Sequence, residues 1–243
     1  MRSCEEIRAF TLAIGRYLRD RFASRALVVA CNTATAAGVD SLRVANPDLP
    51  VVGMEPGVKP AVQASRSGHV GVLATAGTLA NRRFATLIER HAGEAEIITQ
   101  PCPDLVASVE AGDFDSPTVR AQVERYVAPL LSQGVDVLVL GCTHYPVLRP
   151  LIADVVGPSV TIIDAGPAVA RQVARVAPAA NPTAGSGATV LCLTTGNDEA
   201  AFGRSARQIL NCYDGGAAVT ATVTTGRLYW KDGDLTDHAD SAN

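Results

Sequence analysis

None of the six cysteines in this 243-residue sequence forms a C-x-x-C pair, which removes the usual spacing of a structural zinc site. No apolar run reaches the ~20 residues that cross a bilayer. No glycine-rich phosphate loop with its lysine is present. Aromatic residues make up only 5% of the chain, and its net charge is −3 with the basic residues scattered. No basic stripe is available to follow a phosphate backbone, so nucleic acid is not the expected partner. Residues 1–20 carry charges throughout and do not read as a signal peptide. These absences point to the cytoplasm, where disulfides are disfavoured. What remains is an ordinary globular mix, 47% hydrophobic and 19% charged, long enough for one large domain or two small lobes.

Hydrophobic periodicity organises the chain. Ile7, Phe10, Ile14 and Leu18 share one face of a helix expected over 5–20, with Ser3 placed to cap it. Ala26–Ala30 is too short for a helix and β-branched at its centre, so a buried strand is expected. A helix over 33–45 ends near Asn46-Pro47, and a strand follows at 51–54. The alternation continues with helices at 57–67 and 78–92 and strands at 70–74 and 96–99. Val119, Val123, Val127 and Leu130 line one face of a helix over 117–132, and Val135–Leu140 is the most apolar strand. A further helix, a strand at 160–163 and a helix at 166–177 follow. Such alternation predicts an α/β fold with parallel sheets covered on both faces. Residues 178–188 read as an exposed loop, 190–193 and 217–223 as late strands, and the end from Lys231 as a polar, frayed segment.

Two segments look alike. In Leu27-Val28-Val29-Ala30-Cys31-Asn32-Thr33, and again in Val137-Leu138-Val139-Leu140-Gly141-Cys142-Thr143-His144, an apolar strand ends in a cysteine followed by small polar residues. Ligands of doubly wound sheets bind beyond the carboxyl ends of strands. A helix start offers free N–H groups that favour a carboxylate or a thiolate. Two such units facing each other would set a thiol on each side of a ligand. One thiolate would remove a proton from a carbon and one thiol would deliver a proton to its opposite face, inverting the centre. The bland alternative is two structural cysteines in a generic α/β protein.

The same segments resemble the two active-site signatures of the glutamate racemase family, within the aspartate/glutamate racemase superfamily. Ala30-Cys31-Asn32-Thr33-Ala34-Thr35 resembles the first signature and Gly141-Cys142-Thr143-His144-Tyr145-Pro146 the second. Val51–Pro56, Gly71–Thr78, Cys102-Pro103 with Glu110, and Thr194-Thr195-Gly196 resemble further family segments in the same order, over about Glu5–Ile209. The resemblance implies two pseudo-symmetric lobes, each a mostly parallel sheet flanked by helices, with the active site in the cleft between them. Residues 1–55 plus 165–225 would form the first lobe, 56–164 the second, and 226–243 a polar tail.

It also implies roles. Cys31 and Cys142 would be the catalytic thiols. Asn32 and Thr33 would hold substrate beside the first thiol, and Thr143 and His144 beside the second, with His144 also handling the proton of Cys142. Thr75 and Thr78 would contact substrate or simply cap a helix. Glu110 would be an acid near Cys142 or a solvated carboxylate. Cys102 reads as structural, and Cys4, Cys192 and Cys212 carry no motif. The implied reaction interconverts L- and D-glutamate for peptidoglycan, with no pyridoxal phosphate, no metal, glutamate as the small-molecule partner, no membrane partner and a homodimeric assembly.

One departure stands out. The family begins with a strand ending in Asp-Ser and a later Tyr-Gly pair, both preceding the helix with which this sequence begins. A piece of ~30 residues or more is therefore expected to be missing, about the size of a βαβ unit. Its loss would cost rate and leave Ala26–Ala30 without a neighbouring strand, favouring pairing with another chain. A gene start placed too far downstream or a truncated remnant would explain it. Three other readings remain open: an aspartate- or hydantoin-type racemase, a thiol hydrolase using one cysteine with His144, and an inactive fragment or binding protein.

Overall fold

The computed structural model describes residues 2–178, 188–212, 221–231 and 233–237. Its central element is a four-stranded parallel sheet in the order β4-β3-β5-β6. The strands are β3 (His69–Ala74), β4 (Glu96–Pro101), β5 (Val137–Leu140) and β6 (Thr161–Asp164). Alternation of side chains splits its residues between two cores. Leu73, Leu138 and Leu140 join one cluster with Val119, Val123, Val127 and Leu130 of α7 (Pro117–Leu131). Val70, Val72, Val137 and Val139 join the other, with Val58 and Ala61 of α3 (Val58–Ala64) and Phe84 of α5 (Arg82–His91). A strand buried on both faces must be apolar at every position, which is why β5 reads as an unbroken apolar run.

A second, two-stranded parallel sheet pairs β1 (Leu27–Val29) with β2 (Val51–Gly53). Two helices, α1 (Cys4–Phe22) and α2 (Asn32–Ala45), pack on each other beside it. Leu27, Val39, Leu42 and Val51 form its small core. The start of α1 carries the capping box that Ser3 announced: Ser3 Oγ accepts from the Glu6 N–H at 3.2 Å, and Glu6 Oε2 accepts from the Ser3 N–H at 2.6 Å. Among the described residues β1 is paired along one edge only, and Val28 on it is 43% exposed.

The chain crosses between these sheets twice. It leaves β2 for α3 through residues 54–57, and it leaves β6 for α9 (Gly166–Val176), which packs back onto β2. Between β4 and β6 lie α6 (Pro103–Glu110), α7, a 3-10 turn (Tyr145–Leu148) and α8 (Arg149–Val156).

Three expectations change. The helix over 78–92 is two helices, α4 (Ala76–Leu79) and α5, because Asn81 interrupts it and caps α5 by accepting the Arg83 N–H at 2.8 Å. The polar tail over 226–243 is not a tail at its start. Residues 226–231 complete β8 (Ala221–Lys231), which runs parallel to β7 (Ala188–Thr194), and β9 (Asp234–Asp237) folds back antiparallel on β8. Leu228 and Leu235 are buried there, Phe10 of α1 meets Trp230 edge-on, and Arg16 pairs with Asp234, so polar composition concealed a strand pair docked on α1. Thirdly, the segments 103–110 and 199–212, which periodicity left unassigned, are the helices α6 and α10 (Glu199–Cys212). The loop expected over 178–188, apart from its two ends, and residues 238–243 lie outside the described residues.

Leu138, 1% exposed at the centre of the larger core, gives a direct test of the packing. Leu138→Ala is expected to cost about 2–5 kcal/mol in urea unfolding. Asp136, just before β5, tests an electrostatic anchor. Partial burial alone would raise its pKa, but the Ser65 hydroxyl and the N–H groups of Arg66 and Ser67 donate to it at 2.6, 2.7 and 3.0 Å and hold it well below the usual carboxylate range. A depressed folded pKa stabilises above the unfolded value of about 4 and is lost as the pH falls below it. Asp136→Asn is therefore expected to lower stability at neutral pH and to flatten its decline below about pH 4. Stability measured by denaturant at several pH values checks both.

Candidate active site

The strand order reverses between β3 and β5: β4 lies outside one and β6 outside the other. The crevice of an α/β sheet opens at such a switch, beyond the carboxyl ends of its strands. The residues that emerge there are Thr75 from β3 and Gly141-Cys142 from β5. Gly141 is required at its position. Its N–H donates to the Leu73 carbonyl at 2.7 Å, and a Cβ would come within 2.9 Å of that same oxygen.

From the other sheet, β1 delivers Cys31 as the N-cap of α2, in extended conformation at φ −152° and ψ 126°. Its side chain makes no capping hydrogen bond, which leaves the positive end of α2 open to an acceptor. Thr35 fixes this turn. Its hydroxyl donates to the Val29 carbonyl at 3.1 Å and accepts the Met54 N–H at 3.0 Å, joining the ends of β1 and β2 to the first turn of α2.

Asn32 brings the two cysteine turns together. Its Nδ2 donates to the Gly141 carbonyl at 2.8 Å, across the boundary between the sheets. That bond fixes which way the amide points. Its Oδ1 has no hydrogen-bond partner among the described residues, in a side chain whose residue is only 7% exposed. Asn32 lines a cleft of about 370 Å³ together with Met54, Leu140, Cys142, Thr143 and Asp164.

The remaining expected residues gather around these turns in two groups. Thr33 Oγ1 lies 3.2 Å from Thr78 Oγ1 and 3.5 Å from Thr75 Oγ1, and Thr75 and Thr78 are 3.1 Å apart. Thr75 also caps α4 by accepting the Thr78 N–H at 3.3 Å, so its capping is present alongside its place in the hydroxyl cluster. On the other side, His144 Nδ1 sits 3.7 Å from Cys142 Sγ, and its Nε2 sits 3.3 Å from Glu110 Oε1. Glu110 makes its hydrogen bond to the histidine rather than to the thiol.

The two cysteines occupy different surroundings. Burial pushes the Cys142 thiol up to about 11, the backbone N–H groups of His144 and Thr143 pull against that rise, and Cys31 and Glu110 nearby add to it. Cys142 thus rests as a protonated thiol at neutral pH. Cys31 is exposed and faces a separate groove of about 220 Å³ between α1 and β1. It borders the cleft through its neighbour Asn32 and is close enough for its charge to act on Cys142. Cys102 is fully buried, with burial first among the causes that push its thiol up to about 12, in keeping with a structural role.

Sequence reasoning missed Asp164 and Met54 on the cleft wall and Arg149 behind it. Asp164 had a usable signal, since it closes a strand at its carboxyl end.

Residues 2–173 match the Asp/Glu/Hydantoin racemase family, and the chain belongs to that family. Among curated relatives, the glutamate racemase of Pseudomonas entomophila is 55% identical over 175 residues, 72% of this chain and 66% of its own length. That of Pseudomonas syringae pv. tomato is 58% identical over 153 residues, 63% of this chain and 56% of its own. The chain thus matches these relatives over less than two thirds of their length. Among solved structures, glutamate racemase isoform RacE1 from Bacillus anthracis superposes with a TM-score of 0.75 at 29% identity, covering 96% of this chain and 83% of that one. The Escherichia coli glutamate racemase, solved with L-glutamate and the activator UDP-MurNAc-Ala, superposes with a TM-score of 0.76 at 27% identity, covering 94% of this chain and 83% of that one.

The unequal exposure of the thiols predicts unequal reactivity. Iodoacetamide near pH 8 is expected to alkylate Cys31 well before Cys142, because Cys142 is half-buried and protonated there. Peptide mass spectrometry over time reads both sites; equal rates would contradict the asymmetry.

Proposed function

We propose that the chain is a glutamate racemase that interconverts L- and D-glutamate without a cofactor, using Cys31 and Cys142 as its two proton-transfer groups. The observation that carries this reading is the Asn32–Gly141 hydrogen bond, which ties the residue after Cys31 to the residue before Cys142. The glutamate racemases among the relatives support the choice of substrate.

The chemistry follows from the surroundings. The α-hydrogen of an amino acid is weakly acidic, and its removal leaves charge that the carboxylate must absorb. The free N–H groups of α2 and the hydroxyls of Thr33, Thr75 and Thr78 can donate to that carboxylate and stabilise it as charge grows. The unmet Oδ1 of Asn32 can accept from the substrate ammonium. Thr143 donates beside the second thiol. One cysteine, as thiolate, takes the α-proton while the other, as thiol, delivers one to the opposite face. His144, backed by Glu110, exchanges the proton of Cys142 with its surroundings. Each turnover leaves the two thiols with exchanged protonation states, ready for the reverse direction.

The product would serve peptidoglycan synthesis, and the reading carries with it a cytoplasmic enzyme that assembles as a homodimer. Among the described residues no helix is long and apolar enough to cross a membrane. A competing thiol-hydrolase reading draws on the 3.7 Å approach of His144 to Cys142, but it needs only one cysteine.

The test is α-proton exchange of each glutamate enantiomer in D₂O, followed by NMR. Exchange from both enantiomers is expected, with loss of racemisation in Cys31→Ala and in Cys142→Ala. Full activity in either variant would remove the two-thiol mechanism. Aspartate as the better substrate would move the reading to a sister racemase.

A further inference from the structure

We propose that Asp164 is a positioning residue that, with Arg149, sets the spacing between the two cysteine turns; this inference rests on the two-thiol reading above. Asp164 is the last residue of β6, in register with Leu140 of β5, and its side chain is only 14% exposed on the cleft wall. Both of its oxygens are committed. Oδ2 accepts from Arg149 Nη1 at 2.8 Å, and Oδ1 accepts from the Gly166 N–H at 2.9 Å. The other arm of Arg149, Nη2, donates to the Ile162 carbonyl at 2.8 Å. The guanidinium thus grips β6 at two points, a geometry that holds its direction as well as its distance.

These contacts connect the two halves of the site. Arg149 opens α8, directly after the 3-10 turn that follows Cys142, Thr143 and His144. Gly166 opens α9, which packs on β2, and β2 pairs with β1, the strand that ends beside Cys31. A continuous path therefore runs from the Cys142 turn through Arg149, Asp164, Gly166 and α9 to the sheet that carries Cys31. It passes through one of the two crossings between the sheets. The other crossing is pressed against it, since a Cβ on Gly57 would come within 2.9 Å of Ile163 Cγ2. Asp164 acts through these neighbours, not on the reacting carbon.

Spacing matters more here than for a one-base enzyme. Both sulfurs must reach the same carbon from opposite faces, and a displacement of ~1 Å can cost ~100-fold in rate. Slackening the path would leave each thiol able to exchange protons on its own side while impairing transfer from one side to the other.

The experiment follows exchange and racemisation together, by NMR in D₂O and by chiral analysis of the same samples. It compares the wild-type chain with Asp164→Ala, Asp164→Asn, Arg149→Ala and Arg149→Lys. In Asp164→Ala and Arg149→Ala, racemisation is expected to fall about ten- to a hundredfold with little change in KM. Exchange with retention should fall less, so the ratio of exchange to racemisation rises. Arg149→Lys, which keeps the charge but cannot make both contacts, should recover only a small part of the loss. If the alanine variants melt early, Asp164→Asn, which keeps the acceptor for Gly166, carries the comparison. Exchange and racemisation falling in the same proportion, or neither changing, would overturn the positioning role while leaving the racemase reading intact. Neither activity in the folded wild-type chain would overturn both.

Discussion

The hydrogen bond from Asn32 Nδ2 to the Gly141 carbonyl is the contact on which the site depends, because it is made by the residue after one cysteine to the residue before the other. Neither sheet could place both turns alone. The bond also has a cost. By spending its donor on Gly141, Asn32 leaves a buried acceptor without a partner, a defect worth about 1–3 kcal/mol in a folded protein. A ligand that brings a donor to that atom would recover the loss, as the ammonium of the proposed substrate would. A contact that joins the halves of the protein therefore also shapes what the cleft prefers.

Much of this was legible in the sequence, for physical reasons that differ by element. β5 announces itself because burial on both faces demands unbroken apolar residues, and Val119, Val123, Val127 and Leu130 announce α7 because one helical face meets that sheet. The two cysteine turns are legible because strand-end chemistry is local. The later part of β8, beyond the strand expected over 217–223, and all of β9 were hidden because their stability comes from pairing and from docking on α1, through Phe10 and Trp230, and such contacts leave no periodic trace in the sequence. The break between α4 and α5 was hidden because Asn81 could equally have been an exposed helical residue. Asp164 and Arg149 were hidden for the same kind of reason, their meaning resting on a meeting of segments that the sequence keeps apart.

The two thiols differ in their surroundings. Burial holds Cys142 as a thiol, with a histidine beside it and a carboxylate behind that histidine. Cys31 stands exposed at the N-terminal end of α2. His144 lies between the Cys142 thiol and the Glu110 carboxylate, where the two-thiol reading proposed above has it exchange the Cys142 proton.

On the two-thiol reading proposed above, geometry would matter more than any single pKa. A thiol raised to about 11 is a poor source of thiolate, and an anionic substrate beside it would raise it further, so the mechanism would need the two turns held close together. The two turns are tied by the bond from Asn32 and, in the path proposed above, through Arg149 and Asp164. Two ties resist rotation where one would act as a pivot. The two cysteine turns end strands of separate sheets, so such ties supply the rigidity that a single continuous sheet would have by construction.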